Sequence, residues 1–544
     1  MSRAPHVACE LFLLSALFLG LAHIAFLPPW EGFDETAHYS SIEQLADTGV
    51  MPELATARVA IEIEDYAMRG PTPYRRSPPY DQNGGMTYAD FFAKPQAGLD
   101  AFRGYLFGPS SRSPDYAPGW LPNWQAQHPP LYYVLQAVVA RTSEDLSLGA
   151  RLLLLRVVSY GLAFAGLFIA FRANRLLLGR ILPGADGALI AASAWPLVLP
   201  MWFPEMARIG NDSLCAFLVG LAWWLLVKIE ADGDGRKAHA SLGLVLAFGC
   251  WTKAFFVPIS LGILLFLVWR VMSAGNERRS ARAGSIVVCG VVLAAVALPL
   301  YAWNFMQTGS ILNTYEEVLL AEAGGLGAGL EKNWSLALYL RSLATIAKSF
   351  VWSGTWSFGR PALSFLGPSC ALVAVVVVGY VIQVIRQRRR APLMPLFVIG
   401  PLVAGLLYHA LMSIAVFGHG TGTGGWYLYI CVGPIGLIAA LGACRLADSR
   451  PGQIVLVALT VAAVGFTILV SVLQVLMYGG CAIKTGSIRT LRIVTDADCW
   501  LEPARLMAKL DVIAYPTIGA TAAALGLGLA AVGSFLAIHK GSRA

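Results

Sequence analysis

Apolar runs of bilayer length recur from one end of this 544-residue chain to the other, and they limit its fold more than any other feature. A helix needs about 20 largely apolar residues to cross the hydrocarbon core of a membrane. Runs near that length predict about twelve spans, at 8–29, 151–171, 185–203, 211–228, 240–251, 254–272, 284–303, 366–386, 393–414, 426–446, 453–476 and 516–538. The fifth is short, and the break at "CWTKAFF" reads either as a hairpin or as an interrupted helix. Composition agrees: 57% of residues are hydrophobic and 13% charged, against about 25% charged in soluble domains, and mean hydropathy is +0.62. The opening run follows a short basic region and lacks a small-residue cleavage site, which predicts a retained first helix rather than a signal peptide.

The formal charge is +8, but the arginines gather between spans rather than along one polar face, which argues against a nucleic-acid partner. "RANRLLLGR", "RVMSAGNERRSARAG", "RQRRR", "RLADSR" and "HKGSRA" fall on one side if the spans alternate. Basic connections mark the cytoplasmic side, so both termini are expected inside. Three polar segments, 30–130, 304–365 and 477–515, then face outward. No internal repeat is visible, and no matched pair of interrupted helices of the kind transporters carry. Most of the nine cysteines lie in apolar runs. Cys481 and Cys499 lie in a polar stretch, as a disulfide if that stretch meets an oxidising compartment or as two free thiols.

The longest outer segment opens on "PPWEGFDETAHYSSIEQLADTG", from Pro28 to Gly49. It reads as a turn followed by a short helix stopped by Gly49. Ile42, Leu45 and Ala46 share one face of that helix, as expected for a helix lying on the membrane surface. A Pro- and Gly-rich stretch follows, and the segment closes on "WLPNWQAQHPPLYYVLQAVVAR". Trp120, Trp124, Tyr132 and Tyr133 there suit an interfacial aromatic belt, and equally the stacking of a sugar ring.

Several polar residues stand where chemistry is possible. Asp34 and Glu35 lie at the mouth of the first span, where an aspartate can take a proton from an attacking group; acids dressing a helix N-terminus explain them as well. His38 lies one helical turn from Asp34 and could share its face. His128 precedes a Pro–Pro step and fits either a phosphate contact or a structural turn. Glu205, Arg208, Asn211 and Asp212 sit at an outward helix junction, where ionisable groups raise a functional reading, although Asp212 is also a good helix-starting residue. Lys253, flanked by apolar residues, calls for an anion such as a lipid phosphate, or snorkels to the interface. "GHGTGTGGWYLY", 418–429, lacks a P-loop lysine and reads as a close-approach segment or a flexible turn. No zinc-hydrolase spacing and no serine-hydrolase elbow appears.

Together, an N-terminal span, "FDETAHYSSIEQLADTG" and a long outer loop ending in "HPPLYY" resemble the GT-C superfamily of membrane glycosyltransferases. The lipid A aminoarabinose transferases carry a similar acidic pair, a short helix ending in Gly, and a basic residue before Pro-Pro-Leu-Tyr. The protein O-mannosyltransferases also open their first outer loop with Asp-Glu. A bacterial family of GT-C-like membrane proteins of unknown function is closer, with Asp-Glu-x-x-His, "HPPLYY", a Phe-Trp-Gly-like segment and a late Gly-Arg-Tyr. These match Asp34, Glu35 and His38, then His128 to Tyr133, then "SFVWSGTW", and finally Gly425, Trp426 and Tyr427. Trp426 stands where that family has Arg, so Lys253, Arg208 or Arg360 would have to serve a phosphate instead.

The resemblance implies an all-α polytopic membrane protein, a GT-C-like bundle of about twelve transmembrane helices with membrane-surface helices in its first outer loop. It implies inverting transfer of a sugar from a polyprenyl-phosphate donor to a lipid, glycan or protein acceptor at the outer face of a bacterial cytoplasmic membrane. Asp34 would be the base, with Glu35 beside it in the catalytic pair. His38, His128, Tyr132, Glu205, Arg208, Asn211, Asp212, Lys253, Arg360, Trp426 and Tyr427 would bind substrate. Many members of the superfamily need no metal, whereas the oligosaccharyltransferase branch needs a divalent ion; no obligatory metal is expected here. A transporter or flippase shares the span count but usually holds its ionisable residues at the bilayer midplane, and a noncatalytic assembly protein is the remaining reading.

Overall fold

A computed structural model of the chain describes residues 3–73, 85–109, 115–199, 201–233, 235–273, 275–322, 324–352, 354–357, 363–387, 390–420, 422–484, 491–493 and 502–541. Every one of the predicted apolar runs is helical, and the fold is an all-α polytopic one. Eight helices are long and apolar enough to cross a membrane: Ala4–Phe26, Leu148–Ile181, Asp212–Asp232, Arg279–Thr308, Leu366–Gln387, Ala391–Phe417, Arg450–Tyr478 and Pro516–Ile538. Asp186–Val198, Phe256–Met272 and Val432–Ala447 are shorter apolar helices, and Arg236–Cys250 has 15 residues. Among the described residues strands are confined to two antiparallel pairs, Arg58–Ala60 with Pro118–Pro122 and Ala482–Lys484 with Leu491–Ile493.

The "CWTKAFF" break is a hairpin. Arg236–Cys250 returns to the start of Asp212–Asp232, where Asn211 Nδ2 meets the Thr252 carbonyl at 3.4 Å. Phe256–Met272 then runs back, and Arg270 at its far end pairs with Glu230 at the far end of Asp212–Asp232. Arginine-rich connections gather at that far end. Arg180 pairs with Asp232 at 2.9 Å, Arg282 donates to the Arg270 carbonyl, and Arg390 to that of Ser273.

Close helix crossings are built on small residues, which let backbones approach where no hydrophobic force drives helices together in lipid. A Cβ on Gly166 would lie 2.4 Å from the Ala216 carbonyl oxygen, and one on Gly220 equally close to that of Gly166. The first and last helices form a second such seam. Gly519, Gly526 and Gly533, seven residues apart, face Phe26, Leu19 and Phe12 in turn. Ser15 Oγ donates to the Gly526 carbonyl at 2.7 Å, and the Tyr515 amide to that of Ala25 at 2.9 Å.

In the first outer segment the helix Glu35–Thr48 ends at Gly49, whose φ of 70° suits the predicted stop. Its surroundings differ from expectation. Ten of its 14 residues are buried, Ile42 and Ala46 included, because it packs on the helix Leu131–Thr142 and on the strand Arg58–Ala60. Protein rather than lipid covers that face, and buried Glu43 pairs with fully buried Arg151 at 2.6 Å. The aromatic belt divides likewise: Trp120 is exposed, whereas Tyr132 and Tyr133 are interior. The second outer segment adds the helices Tyr315–Glu322, Gly325–Asn333 and Leu336–Val351. The Tyr315 amide docks it on Gln127 Oε1 at 2.7 Å. In the third, Cys481 is disulfide-bonded; Cys499 lies outside the described residues.

Candidate active site

From Leu27 to Glu43 every residue is buried except Asp34. Asp34 caps the helix that begins at Glu35, in the left-handed region at φ 58°, ψ 8°. Aspartate tolerates that region better than most residues, yet it remains uncommon outside glycine. Its carbonyl accepts the amides of Ala37 at 3.1 Å and His38 at 3.0 Å, while its side chain makes no capping bond. Freed from the cap, Oδ1 instead accepts from Trp124 Nε1 at 2.9 Å. Gly32 explains how the turn fits, since a Cβ there would lie 2.6 Å from Arg208 Cβ.

Glu35 points the other way. It is fully buried and accepts Arg156 Nε at 2.7 Å and NH2 at 2.6 Å on separate oxygens. The Ile209 amide adds a third bond at 3.1 Å. Arg156 also donates to the carbonyls of Leu27 and Pro28 at 2.6 and 2.9 Å, so this one guanidinium ties the end of the first span to the acidic turn.

The residues predicted between the third and fourth spans come together as a buried chain of charges. Arg208 donates to Glu205 at 3.1 Å, to Asp212 at 2.9 Å and to the Phe33 carbonyl at 2.8 Å. Lys253 donates to the other oxygen of Asp212 at 2.6 Å. Two cations and two carboxylates alternate, and their formal charges cancel. Burial works against the charge on Arg208, but Glu205, Asp212 and Asp34 more than offset it and hold the guanidinium protonated. The anion that Lys253 finds is thus supplied by the chain itself. Its ammonium also lies 4.8 Å from the ring of half-buried Tyr427 and 5.2 Å from that of Phe255, a cation–π arrangement that leaves it next to the part-open face. Asn211 is fully buried beside this chain.

His38 does not pair with the Asp34 side chain. Its Nδ1 shares a hydrogen bond with Tyr133 Oη at 2.9 Å, and its ring stacks on His128 at 5.8 Å. Tyr132 Oη is taken up by Ser159 at 2.8 Å and by the Gly210 amide at 2.9 Å. Burial first, then the charges of His128, Arg208 and Lys253, hold His38 well below the usual imidazole range. Burial, with Lys253 next, brings His128 down to about 3. Both rings are therefore neutral in the folded protein near pH 7. Unfolded imidazoles protonate near pH 6.5, so below that value the unfolded state binds protons the folded state refuses, and stability falls with pH. Thermal unfolding in detergent at pH 7 and at pH 5 is expected to show a lower midpoint at pH 5; His38→Gln should flatten the difference.

Part-exposed aromatic rings gather around Phe33 and Lys253. Phe33 stacks on Trp426 at 5.8 Å and meets Trp356 edge-on at 4.7 Å; Phe255 meets Tyr427 at 4.6 Å. The Gly-rich segment before Trp426 is a packing device rather than a ligand cradle. A Cβ on Gly425 would strike the Ile346 carbonyl at 2.0 Å, and its amide donates to Ser349 Oγ at 2.7 Å. Thr423 is pinned by His409 at 2.8 Å. Arg360 lies outside the described residues. Among the described residues no three His, Cys, Asp or Glu side chains converge as metal ligands.

Trp124, which the sequence offered as a belt or sugar-stacking residue, instead bonds Asp34; Arg156, Glu31, Phe33 and Trp356 were not singled out by the sequence. Arg156 alone carried a signal, being an arginine inside a predicted span, which is costly unless paired.

No family model matches the chain, and no curated protein does. Among solved structures it is similar to ArnT from Cupriavidus metallidurans bound to undecaprenyl phosphate, at 12% identity over 96% of this chain and 77% of that one, with a TM-score of 0.45. It is also similar to the Archaeoglobus fulgidus oligosaccharyltransferase tethered to an acceptor peptide, at 12% identity over 86% of this chain and 55% of that one, with a TM-score of 0.43.

Proposed function

We propose that this chain transfers a sugar from a polyprenyl-phosphate donor to an acceptor at the outer face of a bacterial cytoplasmic membrane, with Asp34 as the general base. One observation carries the reading: Asp34 alone is part-exposed in a stretch of otherwise buried residues, on a turn that spares its carboxylate from capping. Trp124 fixes Oδ1, and Oδ2 remains to meet an acceptor hydroxyl or amine. As the acceptor's bond to the anomeric carbon forms, its proton passes to Asp34, and the bond from that carbon to the phosphate oxygen breaks with inversion. Charge building on the departing phosphate falls near Lys253, whose ammonium keeps donors beyond the one given to Asp212. Glu35, held by Arg156, orients the turn and touches no substrate.

The arginine-rich connections lie at the end of the bundle opposite Asp34, which supports a cytoplasmic placement of that end and an outward-facing site. A disulfide on Cys481 accords with an oxidising outer compartment. The charged chain sits at helix ends rather than mid-span, which weighs against a transport path.

The test uses purified protein in detergent and a panel of polyprenyl-phosphate sugars, following release of the polyprenyl phosphate. Undecaprenyl phosphate, the lipid bound in the ArnT structure, serves as a competing ligand. Release from at least one donor, inhibited by undecaprenyl phosphate, is expected. Neither release nor binding with any member of the panel would sink the reading.

A further inference from the structure

Three residues before Asp34 stands a second carboxylate that neither the sequence reading nor the proposed chemistry uses. Glu31 is fully buried, and its side chain is met by neutral donors. Tyr88 Oη donates at 2.6 Å and the Ser357 amide at 3.0 Å, together with Ser357 Oγ and the Thr355 side chain. The Glu31 carbonyl in turn accepts the Trp356 amide at 3.2 Å. Tyr88 belongs to the first outer segment, and residues 355–357 belong to the second. Tyr478, at the start of the third, joins through Thr355 at 3.1 Å and packs on the Tyr88 ring at 5.8 Å. Three separate outer segments thus converge on one acidic side chain.

What this convergence holds in place lies next to the base. Trp356, gripped by the Glu31 backbone, meets Phe33 edge-on at 4.7 Å. The Phe33 carbonyl is the acceptor of Arg208, and the following residue is Asp34. Trp30, on the other side of Glu31, is also in the left-handed region at φ 66° and fully buried. Two uncommon backbone conformations therefore bracket Glu31 within five residues, and such conformations persist only where surroundings over-determine them.

We propose that Glu31 is the positioning residue of this site, clamping the three outer segments together and thereby holding Trp356 against Phe33 and Asp34 in its left-handed turn. Glutamate is required because one group must accept from several donors, and a carboxylate is acceptor-only. In Glu31→Gln one oxygen becomes an amide N–H₂, which must face either the Ser357 backbone N–H, which cannot accept, or the Tyr88 and Ser357 hydroxyls, which must turn to accept from it. Either way the set of donors converging on residue 31 is broken although the side chain barely changes in size. The inference rests on the assignment of Asp34 as base, so its test includes a readout that does not need turnover.

Glu31→Gln is expected to lower the rate of polyprenyl-phosphate release about 100-fold while donor KM shifts less than about threefold, since a displacement of about 1 Å costs that much when it originates away from the chemistry. In parallel, the resting protein is labelled with a water-soluble carbodiimide and the Asp34 peptide is followed by mass spectrometry, with buried Asp212 as the internal reference. The labelling rate of Asp34 relative to Asp212 should change in Glu31→Gln, with the thermal midpoint kept near that of the native chain. Unchanged labelling in a folded variant overturns the clamp, whatever the activity. Loss of release in Asp34→Asn together with native rates in Glu31→Gln overturns it as well. If release survives Asp34→Asn, the base assignment fails, and labelling alone judges Glu31. Should Glu31→Gln not fold, Tyr88→Phe and Ser357→Ala, each removing one donor, carry the same two measurements.

Discussion

Asp34→Asn is expected to lower the rate of polyprenyl-phosphate release by about 10³-fold, within the range of a positioned general base, and to leave donor affinity within a few-fold. Asparagine keeps the shape of the side chain and can still accept from Trp124 Nε1, so the left-handed turn and its two backbone bonds survive. What disappears is proton acceptance. The measurement is single-turnover release at saturating donor and acceptor, with donor binding measured in parallel. A loss confined to affinity would make Asp34 a binding group instead, and equal rates in both proteins would move the base elsewhere in the site.

Glu35→Ala is expected to act on stability, not on chemistry. It removes the acceptor of a two-toothed ion pair and leaves Arg156 charged among buried groups. Stripping one partner from a buried pair costs about 3–5 kcal/mol, mostly for the charge left behind. Removing both, as in Glu35→Ala with Arg156→Met, should cost less than the two single changes added together, because residues in direct contact couple. Thermal unfolding in detergent, followed by tryptophan fluorescence, measures all three. Additive effects, or a cost for Glu35→Ala below about 1 kcal/mol, would show that the pair does not hold the turn and would return Glu35 to the substrate side of the site.

The two acids illustrate what the sequence could and could not tell. Asp34 and Glu35 stood out as candidates from their place at the mouth of an apolar run, although acids dressing a helix N-terminus explain two charges there as well. Which of them is buried was not legible. The answer depends on Arg156, 121 residues along the chain, and on a φ of 58° that no local pattern announces. The helices were legible for the opposite reason: an apolar run of bilayer length is itself the cause of its helix, because every backbone group in lipid must find a partner within the segment. The outer segments were read least well. The helix Glu35–Thr48 has the alternation of a surface helix, but Ile42 and Ala46 are covered by strands and helices that come from residues 58–142. Tyr132 and Tyr133 looked like belt residues because aromatic identity does not distinguish lipid from protein interior. Lys253 looked like a free cation because its partner, Asp212, is 41 residues away.

The glycine seam between the first and last helices has a bearing on how such a chain is made. Ser15 and its partner Gly526 are 511 residues apart, so the ribosome releases one long before the other exists. Until the helix Pro516–Gly541 is made, the opening helix packs on the helices from residues 148–207 and lacks that partner. A nascent chain thus completes the packing around its opening helix only when the helix Pro516–Gly541 arrives.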